Sequence, residues 1–79
     1  MSPAVSHITN TIRDLRAARS MTQQELADLI GVTRQTVIAI EGDKYSPSLE
    51  TAFRIANVFG VPLEQVFQYQ DDRKKSRKG

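Results

Sequence analysis

Apolar residues recur at every third or fourth position along most of the chain, a spacing that places them on one face of a helix. The second and third of these stretches each follow a threonine and precede a glycine. Threonine accepts hydrogen bonds from free N–H groups at a helix start, and glycine adopts the left-handed backbone common at a helix end. The pattern therefore predicts three helices in the first half of the chain, over 10–19, 22–30 and 33–41.

The starts of these helices carry recognisable caps. The second helix begins with a capping box, Thr22-Gln23-Gln24-Glu25, in which Thr22 and Glu25 each accept the other's backbone N–H. Thr33 is the expected N-cap of the third helix and Asn10 that of the first. With Gly31 between them, the second and third helices are predicted to be joined by a turn of three to four residues.

Proline and glycine delimit the second half of the chain as well. Pro47 disfavours a helical residue before it, so the fourth helix is predicted to begin at Pro47 or Ser48 and to end at Gly60. A short fifth helix is expected after Pro62. The residues predicted to form the apolar stripes of the second and fourth helices are Leu26, Leu29, Ile30, Leu49, Ala52, Phe53, Ala56 and Phe59.

Short strands are indicated at both ends of the helical region. The alternation Phe67-Gln68-Tyr69-Gln70 predicts one strand. Val5, His7 and Ile8 give a fainter signal for a second strand. We therefore expect an all-α domain of five helices with a small β-ribbon formed from the two chain ends.

Charge is distributed unevenly along the 79 residues, which carry a net charge of +2. Residues 71–79 contain five basic and two acidic residues, whereas the rest of the chain contains six basic and seven acidic ones. This division predicts an N-terminal arm over 1–9, a folded domain over 10–70 and a basic, flexible tail over 71–79. Evidence for nucleic acid must come from the position of individual charges rather than from their sum.

The residue types present exclude several classes of function. There is no cysteine and one histidine, His7, which excludes disulfides, thiolate zinc sites and multi-histidine metal sites. The carboxylates are scattered and no glycine-rich loop could hold a phosphate, so we expect no enzyme activity, metal, cofactor or small-molecule ligand. No apolar run approaches the ~20 residues of a membrane span, and no signal peptide is evident, which favours the cytoplasm.

The outward face of the third helix is chemically unusual. At ~100° per residue, Val37 and Ile40 point inward. Four residues form the opposite face: Arg34, Gln35, Ile38 and Ala39. Arginine bonds guanine, glutamine bonds adenine and an aliphatic group packs on the thymine methyl, and no carboxylate is present to repel phosphates. The spacing alone also fits an ordinary helical hairpin, but this composition favours a helix-turn-helix that enters the major groove of DNA.

Residues 21–41, M-T-Q-Q-E-L-A-D-L-I-G-V-T-R-Q-T-V-I-A-I-E, resemble the helix-turn-helix of the Cro/cI (Xre-type) transcriptional regulators. The resemblance continues to about Tyr69, and the second half is similar to the short single-domain branch typified by the cytolysin operon repressor. It implies a five-helix, lambda-repressor-like domain, a ribbon made from both chain ends and a stable dimer.

The resemblance also implies which residues bind DNA. They are Gln23, Thr33, Arg34, Gln35, Thr36, Ile38, Ala39, Lys44 and Tyr45. Gln23 and Lys44 match positions that contact the phosphate backbone, whereas Arg34 and Gln35 match the principal contacts to bases. One departure concerns the loop after the third helix: many members continue the final glutamate with Asn-Gly, but this chain has Glu41-Gly42-Asp43. The asparagine that the resemblance associates with one phosphate contact is therefore missing, and Asp43 close to DNA would be mildly unfavourable.

Two structural roles follow from the same resemblance. Arg16 and Glu41 match a pair that forms an internal salt bridge between the first and third helices. The short fifth helix and the following strand match a dimer interface. Its expected residues are Leu63, Val66, Phe67 and Tyr69.

We therefore expect a sequence-specific regulator that binds double-stranded DNA, namely a repressor that binds a palindromic operator as a homodimer and joins the nucleoid when bound. Two alternatives remain open at this point. One is an antitoxin-type regulator that also binds a toxin protein, which an adjacent toxin gene would favour. The other is a protein-interaction adaptor without DNA, which would lack the salt-dependent duplex affinity that phosphate contacts impose.

Overall fold

Two short strands from opposite ends of the described chain pair with each other beside a group of helices. A computed structural model describes residues 8–70. Its elements in chain order are β1 (Ile8–Asn10), α1 (Ile12–Ala18), α2 (Gln23–Ile30), α3 (Arg34–Glu41), α4 (Leu49–Phe59), α5 (Leu63–Val66) and β2 (Phe67–Tyr69). The strands are antiparallel, with Ile8 opposite Tyr69 and Asn10 opposite Phe67. The predicted five-helix fold with a small ribbon is confirmed over this part of the chain.

Some predictions lie outside the described residues. These are the strand signal at Val5 and His7, most of the arm over 1–9 and the basic tail over 71–79. Within 8–70, no helix is long and apolar enough to cross a bilayer.

Side-chain caps fix the starts of the middle helices. In α2, Thr22 Oγ1 accepts the N–H of Glu25 at 3.0 Å, and Glu25 Oε1 accepts the N–H of Thr22 at 2.8 Å. Thr33 caps α3 and Ser48 caps α4 through the same kind of hydroxyl acceptor. Each cap stabilises the fold by about 1 kcal/mol, so the boundaries of the helix-turn-helix are set locally.

The start of α1 differs from the prediction. Asn10 belongs to β1, and Thr11 occupies the N-cap position without a side-chain cap. Asn10 nevertheless satisfies the helix start, because its Oδ1 accepts the N–H of Ile12 at 3.1 Å. The backbone of Asn10 pairs with β2 while its side chain caps α1, so one residue serves both elements.

A single apolar core lies between the helices. Its largest fully buried side chains are Ile12, Leu26, Ile30, Val37, Ile40, Ile55, Phe59 and Val66. Leu29, Leu49 and Phe53 were predicted to join it, but they are 60%, 69% and 49% exposed. All three lie roughly 70–110° around their helices from the centre of the buried stripe, so the core contact is narrower than the apolar pattern.

The predicted dimer surface also needs one correction. Val66 is fully buried in the core of its own chain, so its side chain is not available to a second copy. Leu63 and Phe67 pack against that core but keep part of their surface accessible. Tyr69 at the end of β2 is 64% exposed. The short α5 thus turns one residue inward and leaves its neighbours on the surface.

Candidate nucleic-acid interface

The turn between α2 and α3 determines which face of α3 reaches the surface. Gly31 ends α2 in the left-handed conformation, with φ +76°, which glycine adopts without steric cost. The chain then enters α3 with Val37 and Ile40 pressed into the core, 1% and 2% exposed. Since those two residues define the inner side of the helix, the opposite side faces solvent.

The outer face of α3 carries the four residues predicted from the sequence. Arg34 and Gln35 are exposed, Ile38 is 42% exposed and Ala39 is half-buried. The carboxylate of α3 belongs to Glu41, whose side chain is only 2% exposed. The outer face therefore combines a cation, an amide and apolar groups without an exposed negative charge.

Thr33 and Thr36 lie at the start of the same helix and bond mainly to each other. The N–H of Thr36 donates to Thr33 Oγ1 at 3.1 Å, and the two hydroxyl oxygens are 3.0 Å apart. One hydroxyl must donate to the other, which leaves the second hydroxyl hydrogen available to a ligand. The pair thus fixes the first turn of α3 and offers a single donor beside Arg34.

Glu41 joins three helices through its carboxylate. Arg16 Nε donates to Oε2 at 2.6 Å and Arg16 Nη2 to Oε1 at 3.1 Å, while Arg16 Nη1 donates to the carbonyl of Met21 at 2.8 Å. The two side chains are 14% and 2% exposed. The structure therefore brings the predicted pair together in the two-pronged geometry that makes arginine–carboxylate contacts strong.

Gln23 belongs to the same network, which the sequence did not indicate. Its Nε2 donates to Glu41 Oε1 at 3.1 Å. Gln23 is the first residue of α2 and half-buried. An amide nitrogen has two hydrogens, so one is held by Glu41 and the other can reach a phosphate. The predicted phosphate contact is thus oriented by the carboxylate that anchors the salt bridge.

Six of the nine predicted DNA-binding residues line two shallow depressions that share Gln23. The first depression is lined by Arg13, Gln35, Ile38, Ala39 and Lys44, among others. The second includes Arg34. The remaining three predicted residues, Thr33, Thr36 and Tyr45, line neither depression.

Arg13 lines the same depression as Gln35 and Lys44, although the sequence-based prediction did not include it. It lies three residues before Arg16, and residues at that spacing share one face of a helix. Together with the predicted pair of Arg16 and Glu41, this spacing was an available signal that Arg13 lies near the end of α3.

The loop after α3, where the sequence departs from the family pattern, contains a residue with a left-handed backbone. Gly42 has φ −85°, which any residue adopts, whereas Asp43 has φ +60° in the left-handed region. Asn10 Nδ2 donates both to the carbonyl of Ile40 at 2.8 Å and to Asp43 Oδ1 at 3.0 Å. Lys44 is exposed, and Tyr45 is 51% exposed. The left-handed residue of this loop is therefore Asp43 rather than the glycine before it, and the side chain of Asn10 bonds to the loop.

Metal ligands are not clustered in this part of the molecule. Within residues 8–70, no three acidic, histidine or cysteine side chains lie close enough to hold a metal ion. The surface around α3 is instead made of amides, hydroxyls, cations and apolar groups.

Comparison with known proteins agrees with this geometry. Residues 12–66 match the helix-turn-helix family HTH_3. An uncharacterized HTH-type transcriptional regulator of Methanocaldococcus jannaschii is 52% identical over 63 residues, which cover 80% of this chain and 96% of that protein. The transcriptional repressor RstR of a cryptic CTXphi phage in Vibrio cholerae is 41% identical over 58 residues, covering 73% and 52%. The crystal structure of the restriction-modification controller protein C.AhdI from Aeromonas hydrophila superimposes with a TM-score of 0.64 and 28% identity, covering 68% and 82%.

Proposed function

Because the chain belongs to the helix-turn-helix family of transcriptional regulators, we propose that it represses transcription by binding a palindromic DNA operator as a homodimer. The observation that carries this proposal is the outer face of α3. That face presents Arg34, Gln35 and Ile38 to solvent and keeps the carboxylate of Glu41 buried beneath a guanidinium.

The side chains of that face suit the edges of base pairs in the major groove. Arg34 can donate two hydrogen bonds to guanine, and Gln35 can donate to and accept from adenine. Ile38 can pack against a thymine methyl, and the small Ala39 allows the helix to approach closely. Each well-formed two-pronged contact contributes about 1–3 kcal/mol of discrimination between base pairs.

A second set of residues positions the helix without selecting sequence. Gln23 donates to a phosphate with its free amide hydrogen, and Lys44 supplies a charge from the loop after α3. Tyr45 and the free hydroxyl of the Thr33–Thr36 pair add neutral donors on either side. These contacts set the depth and angle of α3, and they make the affinity dependent on salt.

The accessible surface around α5 and β2 supports dimerisation as part of this proposal. Leu63, Phe67 and Tyr69 would meet the same residues of a second copy across a twofold axis. Such a dimer spaces two copies of α3 by about 34 Å, one turn of DNA, and so binds two inverted half-sites. The similarity to a phage repressor supports repression as the outcome of operator binding.

Selection of bound sequences from a random duplex pool tests the proposal. We expect an inverted repeat whose half-sites are centred about 10–10.5 base pairs apart. We also expect an affinity that falls steeply with salt. A protein that retains no duplex from the pool and shows no salt-dependent binding would instead be an adaptor.

A further inference from the structure

Arg13 adds a positive charge from α1 to the proposed DNA-binding surface, which already has Arg34 in α3 and Lys44 in the following loop. It is the second residue of α1, and its side chain is 75% exposed. It lines the same depression as Gln23, Gln35 and Lys44. A guanidinium from α1 therefore lies on the surface formed by the start of α2, the outer face of α3 and the following loop.

Glu41 does not form a hydrogen bond with the guanidinium of Arg13. Arg13 Nε is 4.0 Å from Glu41 Oε1, beyond hydrogen-bond distance. That oxygen already accepts from Arg16 and Gln23, both at 3.1 Å. Among residues 8–70, this 4.0 Å ion pair with Glu41 is the polar contact that the side chain of Arg13 makes. The N–H groups of its guanidinium therefore remain available to a ligand.

The local charge balance favours an anion at this position. Arg16 and Glu41 neutralise each other beneath the surface, since they form a close, buried pair. The depression therefore carries the positive charges of Arg13 and Lys44, which the neighbouring Asp43 offsets only in part. Exposed ion pairs at the limit of contact are weak, whereas a guanidinium matches the geometry of a phosphate with two parallel donors.

We propose that Arg13 contacts a backbone phosphate and anchors α1 to DNA. This inference rests on the proposed function and extends it from the helix-turn-helix to the first helix. The phosphate backbone of the DNA is then contacted by Arg13 of α1 as well as by Gln23 and Lys44. The contact is to phosphate and is therefore independent of base sequence.

Salt titration of Arg13→Gln against the selected operator and a scrambled duplex tests this contact. The logarithm of affinity falls linearly with the logarithm of salt concentration, and each lost phosphate contact makes this slope shallower by about 0.9. Between about 50 and 200 mM salt, the loss of affinity of Arg13→Gln should therefore be smaller than that of the unmodified protein. The two losses should differ by a factor of about 3.5 for one half-site and of about 12 for a dimer. The loss should be equal on both duplexes, and Arg13→Lys should restore most of the slope.

Arg54→Gln is the matched control. It removes the same charge, but its guanidinium donates to the carbonyl of Ile30 at the far end of α2 from Gln23 and to Glu50. Its salt slope should equal that of the unmodified protein. The inference is overturned if Arg13→Gln behaves like Arg54→Gln, or if its loss is confined to the operator. If the unmodified protein shows no salt-dependent binding at all, the proposed function fails as well.

Discussion

Two of the arginine–glutamate pairs among residues 8–70 are close, hydrogen-bonded pairs that differ in burial. Arg16 and Glu41 are 14% and 2% exposed, whereas Arg54 and Glu50 are 52% and 76% exposed. Both pairs are hydrogen-bonded, at 2.6 and 3.0 Å. We predict that Glu41→Ala strongly destabilises the fold and that Glu50→Ala barely changes it.

The magnitude follows from what each deletion leaves behind. Without Glu41, Arg16 keeps its bond to the carbonyl of Met21 but remains buried without a counter-charge, and Gln23 loses its acceptor. Breaking a buried pair from one side costs about 3–5 kcal/mol. A domain of about 60 residues has roughly 3–9 kcal/mol of stability in total, so the variant should be only marginally folded. Deleting Glu50 removes an exposed i,i+4 pair worth about 0.5 kcal/mol or less.

Urea and thermal unfolding followed by circular dichroism measure both losses. At about 4–8 °C per kcal/mol, Glu41→Ala should lower the melting temperature by at least about 12 °C and Glu50→Ala by about 2–4 °C at most. Glu41→Gln should be intermediate, because it keeps one oxygen and the side-chain volume. If Glu41→Ala keeps its melting temperature but loses sequence preference, Glu41 is part of base recognition and its structural assignment is wrong.

Four further variants test the remaining roles. Gln35→Ala should reduce the binding free energy by roughly 1–3 kcal/mol on the operator and by little on a scrambled duplex. Lys44→Ala should weaken binding to both duplexes equally. Titration of each variant at two salt concentrations separates these outcomes. Replacing both Leu63 and Tyr69 by serine should yield monomers by sedimentation at tens of micromolar, and a persistent dimer would place the interface elsewhere. Asp43→Gly should raise affinity for any duplex, measured by the same titration, with a stability change within about 1 kcal/mol.

Local signals were sufficient for the boundaries of α2 and α3, which form the helix-turn-helix. Caps such as the Thr22 box and the left-handed Gly31 act within a few residues, so they can be recognised in sequence without knowledge of packing. The burial of Val37 and Ile40 follows from the same helix period. The outer face of α3 could therefore be assigned before any contact between helices was known.

Contacts between elements could not be predicted in this way. Helical period shows which side of α2 or α4 is apolar, but the width of the contact depends on where the neighbouring helix lies, and Leu29 and Phe53 consequently remain exposed. The bond from Gln23 to Glu41 joins residues 18 positions apart on different helices. The role proposed for Arg13 was not predicted for the same reason, because it depends on Gln23, Gln35 and Lys44, which lie on other parts of the fold.

The loop after α3 depends both on a local backbone conformation, at Asp43, and on a contact with a distant residue, Asn10. Asp43 has φ +60°, which costs a non-glycine residue roughly 1 kcal/mol, and its carboxylate accepts one exposed hydrogen bond from Asn10. Glycine would remove the strain and lose that bond, worth about 1 kcal/mol, so stability should hardly change. Affinity should rise, because the carboxylate next to Lys44 repels the phosphates that Lys44 attracts, and salt should screen this gain.

Asp43→Asn separates the two causes. Asparagine keeps the oxygen acceptor for Asn10 and tolerates the left-handed backbone, but it carries no charge. If charge is the cause, Asp43→Asn and Asp43→Gly should raise affinity a few-fold to the same extent at low salt, and the gain should shrink at high salt. A gain seen only with glycine would show that loop strain, rather than repulsion of phosphates, limits binding.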